Sequence, residues 1–153
     1  MVWKASTIGA VALLVFLEIR SAPASSALPG PAIIRITDRE VRFNTVDVGR
    51  RGRSPGDVEI TRRLLFNRRI RQRAIGRAEL VCTVLTGNSR HCTGTYVLPA
   101  GKIAVSGEMR YRQFFQLAVT GGTGLYNNVR GTLTVTSLGR RPRRDIVFFR
   151  LVV

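Results

Sequence analysis

Histidine and cysteine are almost missing from this chain, with one His and two Cys in 153 residues. That excludes a metal centre built on Cys/His spacing, which draws three or four ligands from such residues. His91 stands alone, with no carboxylate pattern beside it. It reads as a surface residue, and no Ser-His-Asp arrangement can be defended. Acidic residues are also few, 9 against 25 Lys plus Arg. Ala5 to Leu17 is uncharged and mostly apolar, but it falls short of the roughly 20 residues a spanning helix needs. No long stretch shows the 3.6-residue period of an amphipathic helix. No internal repeat is visible. Gly121-Gly122-Thr123-Gly124 is followed by neither a helical pattern nor a Lys, which excludes a phosphate-cradling loop.

What is present begins with an export pattern. Lys4 precedes the apolar segment, and Glu18 and Arg20 lead into the small-residue run Ser21-Ala22-Pro23-Ala24-Ser25-Ser26-Ala27. This is the layout of a cleaved signal peptide over residues 1–27. It implies a secreted or extracytoplasmic protein, and Trp3, the only Trp, would leave with the leader. Residues 28–31 read as a short linker, since Pro29-Gly30-Pro31 cannot enter regular structure. Residues 32–153 read as one domain with one core. Cleavage removes Lys4, Arg20 and Glu18, lowering the net charge of +16 by one to +15. A charge of that size attracts polyanions or an anionic surface. No recognition motif accompanies the arginines, so a specific nucleic-acid site is not expected.

The two cysteines suit a disulfide in an exported chain. Leu80–Leu85 and His91–Val97 read as strands around Gly87-Asn88-Ser89. Pairing Cys82 with Cys92 centres the hairpin on Gly87, which implies a loop of three or five residues, often with a left-handed Gly.

The rest of the chain alternates strand and turn. The strand segments are Ile33–Thr37 or Val41–Val46, Val58–Phe66, Ala78–Leu85, His91–Leu98, Ile103–Gly107, Gln113–Thr120, Val129–Ser137 and Ile146–Val152. Eight short, regularly spaced strands predict an antiparallel barrel or sandwich, and closure into a barrel would leave no free edge. The last strand is apolar on nearly both faces, so a homo-oligomer is a further expectation.

Three stretches carry a resemblance to a known family. Ser54-Pro55-Gly56-Asp57 opens a strand after a Gly-rich loop. Gly76-Arg77-Ala78-Glu79 begins the strand leading to Cys82. Ala118-Val119-Thr120-Gly121-Gly122-Thr123-Gly124 precedes Gly131-Thr132-Leu133, with Gly121, Gly122 and Gly124 taken as a tight turn. In that order they resemble the allene oxide cyclase and dirigent family, over about Ser54 to Ser137. The resemblance implies an all-β, eight-stranded antiparallel barrel. It also implies a lumen that holds a hydrophobic small molecule, an unsaturated lipid or a phenolic, and steers its cyclisation or coupling without a metal or organic cofactor. The physical device would be an apolar cavity that enforces one near-attack conformer.

The family's site residues map only in part. Asp38, Glu40 and Asp47 lie where the cyclases carry a first-strand Glu. The Asn of their next strand falls on Arg63. Their strand cysteine corresponds to Cys82, which Cys92 could oxidise. The His-Asp signature of dirigent proteins is missing. Glu40, Asp47 and Tyr96 are the candidate catalytic residues, although Tyr96, like Tyr111 and Tyr126, also suits a packing role. Asp57 reads as a turn-former, and Glu79 and Glu108 as partners for arginines. Two further readings stand beside the ligand-steering barrel: a non-catalytic secreted module that holds polyanions on its basic surface, and a small structural protein without a ligand. A lumen filled by side chains, as in many small barrels, would count against a lumen ligand.

Overall fold

The computed structural model describes residues 32–67, 73–110, 113–139 and 143–152. The leader and linker expected over 1–31 lie outside the described residues, as do Tyr111 and the basic residues 140–142. The strands in chain order are β1 (Ala32–Val46), β2 (Val58–Asn67), β3 (Ala74–Val84), β4 (Ser89–Leu98), β5 (Gly101–Arg110), β6 (Phe114–Gly124), β7 (Arg130–Ser137) and β8 (Arg144–Val152). Each pairs antiparallel with the next, and β8 returns to β1, closing the barrel. The alternative of a sandwich is thereby excluded.

Alternation decides which side chains enter the barrel. Leu65, Ile103, Leu133, Val147 and Phe149 point inward and are fully buried. Each such burial contributes about 1.5–3 kcal/mol. Tyr96 lies edge-on to Phe149 with ring centroids 5.1 Å apart. Small residues make room for large ones across the lumen. A Cβ at Gly94 would sit 2.7 Å from Leu80 Cγ, so the glycine is what lets Leu80 fill the centre. On β7, Leu133 and Val135 are buried, while Thr132, Thr134 and Thr136 take the other face.

Two local features differ from the sequence reading. The two alternative segments for the first strand are one strand, β1, with a bulge between Glu40 and Arg42 where it pairs with β2. The extra residue, Val41, switches the inward parity. Asp38 faces the lumen before the bulge, and Phe43 and Thr45 line the barrel's open end after it. The glycine stretch is also not a turn. β6 runs on through Gly121, Gly122 and Gly124, which pair with β5, and a second bulge opens between Ala104 and Val105 opposite Thr120. The turn follows at Leu125–Asn128 and packs back on the strand. A Cβ at Gly122 would lie 2.3 Å from the Tyr126 carbonyl oxygen, so the glycine is there for close approach.

Cys82 and Cys92 stand directly opposite each other and are joined by a disulfide, with Cα atoms 4.0 Å apart. The Leu85 N–H donates to the Ser89 carbonyl at 3.0 Å, closing a loop of residues 86–88. Gly87 is not among the positive-φ glycines, so this loop does not use the expected left-handed glycine.

Candidate functional site at the open end of the barrel

The end of the barrel where β1 leaves and β2 begins carries the loop of residues 47–57. Asp57 organises it. Its carboxylate accepts from the Val48 N–H at 2.9 Å and the Ser54 N–H at 2.7 Å. These two bonds hold the carboxyl below its ordinary range. Asp47 accepts from the Gly52 N–H at 2.9 Å, and the Gly56 N–H donates to the Val84 carbonyl at 2.9 Å, tying the loop to β3.

Between this loop and the strand ends lies a basin of about 510 Å³, lined by Phe43, Thr45, Asp47, Arg53, Glu59, Val84, Arg90 and Arg143 among others. Arg90 and Arg143 form part of its floor and also bound a small inner cavity of about 20 Å³, room for about one water. Arg90 is held there by an ion pair with Glu59 and by an Nε–H donated to Met109 Sδ at 3.0 Å. Burial lowers the Arg90 pKa, and Glu59 works against that shift. Of these two spaces, the larger lies above the lumen and the smaller within it.

Below the floor is a buried ionic cluster. Arg63 sits on the inward face of β2 between Thr61 and Leu65. Its Nη1 donates to both Asp38 oxygens, at 2.8 and 2.9 Å, and to Asp145. Its Nη2 lies 3.5 Å from Glu40 Oε2. The Asp38 and Asp145 side chains are fully buried. Burial pushes the Asp38 carboxyl up to about 6, with Arg63 opposing and Asp145 adding to the rise. Burial disfavours the charge on Arg63, but Asp38 and Asp145 outweigh it and hold the guanidinium protonated. Asp145 Oδ1 has no hydrogen-bond partner among the described residues; Arg143 Nε is 3.7 Å away. Tyr96 is buried within the field of this cluster. Burial first, then the two carboxylates, push its hydroxyl well above the usual tyrosine range, so it is a proton-bearing donor at any physiological pH.

The three candidate catalytic residues thus separate. Glu40 reaches Arg63 and Tyr96 lies in the lumen near the cluster, while Asp47 sits in the rim loop and caps a backbone amide. Asp145 and the Glu59–Arg90 pair escaped the sequence reading. The available signal was a charged residue at an inward strand position, one step before the apolar run of β8 for Asp145 and opening β2 for Glu59. The expected pairing of Glu79 is with Arg62, at 2.7 Å on the exposed face. His91 is exposed and lies 3.2 Å from Ser106 Oγ. Among the described residues, no group of three or more His, Cys, Asp or Glu is placed to hold a metal ion.

No protein-family model and no curated protein sequence matches the chain. Solved structures do share its fold. Pyocyanin demethylase superposes with a TM-score of 0.68 at 24% identity, covering 79% of this chain and 100% of that one. The pterocarpan synthase dirigent protein PsPTS1 gives 0.65 at 14% identity, over 81% and 96%. The Diels-Alderase AbmU from Streptomyces koyangensis gives 0.65 at 12% identity, over 78% and 63%. The chain is an eight-stranded barrel of the type shared by dirigent proteins and cyclase-like barrels. At these identities the likeness establishes the fold.

Proposed function

We propose that this protein is an exported barrel that binds a hydrophobic small molecule, an unsaturated lipid or a phenolic, at its open end and steers its cyclisation or coupling. The observation that carries the reading is the basin of about 510 Å³, with the Arg90–Arg143 floor and the inner cavity that Arg63 lines between it and a buried acid–arginine cluster. A basin of this size lies within the range of small-molecule sites. Its walls would restrict a flexible chain to few conformers, and orientation of that kind lowers a barrier without any cofactor. Asp38, titrating near 6, can hold or release a proton near neutrality. Arg63 and Tyr96 supply fixed positive charge and a donor beneath the site. The inner cavity is too small for a ligand chain, so deeper entry requires Arg90 and Arg143 to swing aside.

The test is native mass spectrometry of the protein with a panel of unsaturated fatty-acid epoxides and phenolics, followed by chiral analysis of the products. The expected result is a one-to-one adduct that weakens in Phe43→Ala, with an excess of one enantiomer over the uncatalysed mixture. A bare protein mass across the whole panel would overturn the reading. The second reading, a basic module that holds polyanions, rests on the +15 charge left when the leader is removed from the +16 chain. It predicts binding to a polyanion such as heparin that falls steeply with salt, whereas the basin predicts weak salt dependence.

A further inference from the structure

A second concavity lies on the outside of the barrel where β1 meets β8, and it shares no lining residue with the open-end basin. It has a volume of about 460 Å³. Its apolar wall is made by outward-facing side chains that a barrel exterior has no need to bury: Phe66, Leu138, Ile146 and Phe148. Leu138 and Ile146 remain 50% and 44% exposed. Three arginines border the same wall: Arg35, Arg39 and Arg144. The Arg35 guanidinium lies 5.2 Å from the Phe148 ring centroid, and that of Arg39 5.5 Å from the Phe66 centroid. Stacking of this kind holds a long side chain in place at little further entropy cost. Among the described residues none of the three is paired with a carboxylate. The one acid among the described residues that line the groove, Asp38, turns its carboxylate into the lumen and onto Arg63.

We infer that this groove binds a single-chain apolar phosphate monoester, with the phosphate on the three arginines and the tail along Leu138, Ile146 and the two rings. Three guanidiniums without a local counter-charge complement a dianion better than a monoanion, and guanidinium forks suit phosphate oxygens. The apolar wall distinguishes the ligand from free phosphate. The concave shape selects a single dissolved molecule over a flat bilayer surface. The site uses none of the residues of the open-end basin, so it stands or falls independently of the function proposed above.

The experiment is methyl NMR of the intact protein titrated with dodecyl phosphate below its micelle concentration. Dodecanol, inorganic phosphate and vesicles containing anionic phospholipid serve as parallel probes. The expected result is saturable shifts of the Ile146 and Leu138 methyls with Val84, at the open end, unmoved. Dodecanol and inorganic phosphate should each bind at least about tenfold more weakly, the loss expected for one charge-assisted contact. Arg39→Gln combined with Arg144→Gln should weaken dodecyl phosphate by a similar factor or more. Arg77→Gln, an exposed arginine on β3 outside the groove, should leave it unchanged. The inference is overturned if the Val84 methyls shift in place of those of Ile146, or if dodecanol binds as well as dodecyl phosphate. Insensitivity to the double substitution would overturn it too, as would binding to the vesicles alone or to no probe.

Discussion

Arg63 is the residue on which the barrel's interior depends. It neutralises two carboxylates that have lost their water, and removing it would leave Asp38 uncompensated and Asp145 with only Arg143 at 3.7 Å. Breaking such a buried pair costs about 3–5 kcal/mol. Arg63→Met is therefore expected to lower the denaturant midpoint by that equivalent, while Arg63→Met with Asp38→Asn and Asp145→Asn should recover much of the loss. Asp38 adds a pH signature. Its carboxyl titrates near 6 in the fold against 3.8 in the unfolded chain, so the folded protein binds more protons between those values. Its contribution is fully present below about 4 and is lost as pH rises through 6. Urea midpoints measured across that window should fall with rising pH in the wild type, and the slope should flatten in Asp38→Asn. Asp57 works in the opposite sense. Its lowered pKa gives stability that is present above the ordinary carboxylate range and lost in acid. Asp57→Ala should free the 47–57 loop, read as faster tryptic cleavage at Arg50, Arg51 and Arg53 with the barrel core still resistant.

At the scale of the element, glycines and the disulfide carry distinct loads. Gly122→Ala would force a Cβ to within 2.3 Å of the Tyr126 carbonyl. It should cost about 1–3 kcal/mol, as overpacking does. Gly87→Ala meets nothing within 4 Å and should be neutral or stabilise by up to about 1 kcal/mol through the unfolded chain. Thermal melts of the two variants side by side check the contrast. The Cys82–Cys92 bond closes a short hairpin with a separation of 10 residues. Reduction is expected to cost about 2–3 kcal/mol, measurable as a shift in urea midpoint with dithiothreitol. Strand positions were legible in the sequence because alternation of apolar and polar residues is a local signal; β2, β4 and β7 begin and end within a few residues of their expected bounds. The β1 bulge was not, because one extra residue at Val41 leaves the composition of the segment unchanged. The extension of β6 through its glycines was hidden for a related reason. Glycine permits a turn and a close strand contact equally, and only the neighbour tells them apart.

At the scale of the whole molecule, closure of β8 on β1 removes the free edges that so many strand-forming residues would otherwise expose. It also sets where the chemistry can be. Asp38, Arg63 and Asp145 come from β1, β2 and the start of β8, separated by 25 and 82 residues from one another through Arg63. They meet only because the barrel closes there. Among the described residues, the same closure leaves an inner cavity of about 20 Å³, with larger spaces at the open end and on the outer β1–β8 seam. The net charge of +16 is summed over the whole chain, and its effect on any polyanion should be read as a salt slope rather than as one affinity.

The sequence by itself determined an eight-stranded all-β fold, the cysteine pair, the turn-forming role of Asp57 and the excess of positive charge. Each of these is written in nearest-neighbour pattern or in composition. Tertiary structure alone decided which acids share Arg63, that Glu40 and Tyr96 approach that cluster while Asp47 stays at the rim, and that free volume lies above the lumen. Those outcomes depend on strand register and on contacts between residues far apart in the chain. A single bulge resets the register, and no local pattern records it.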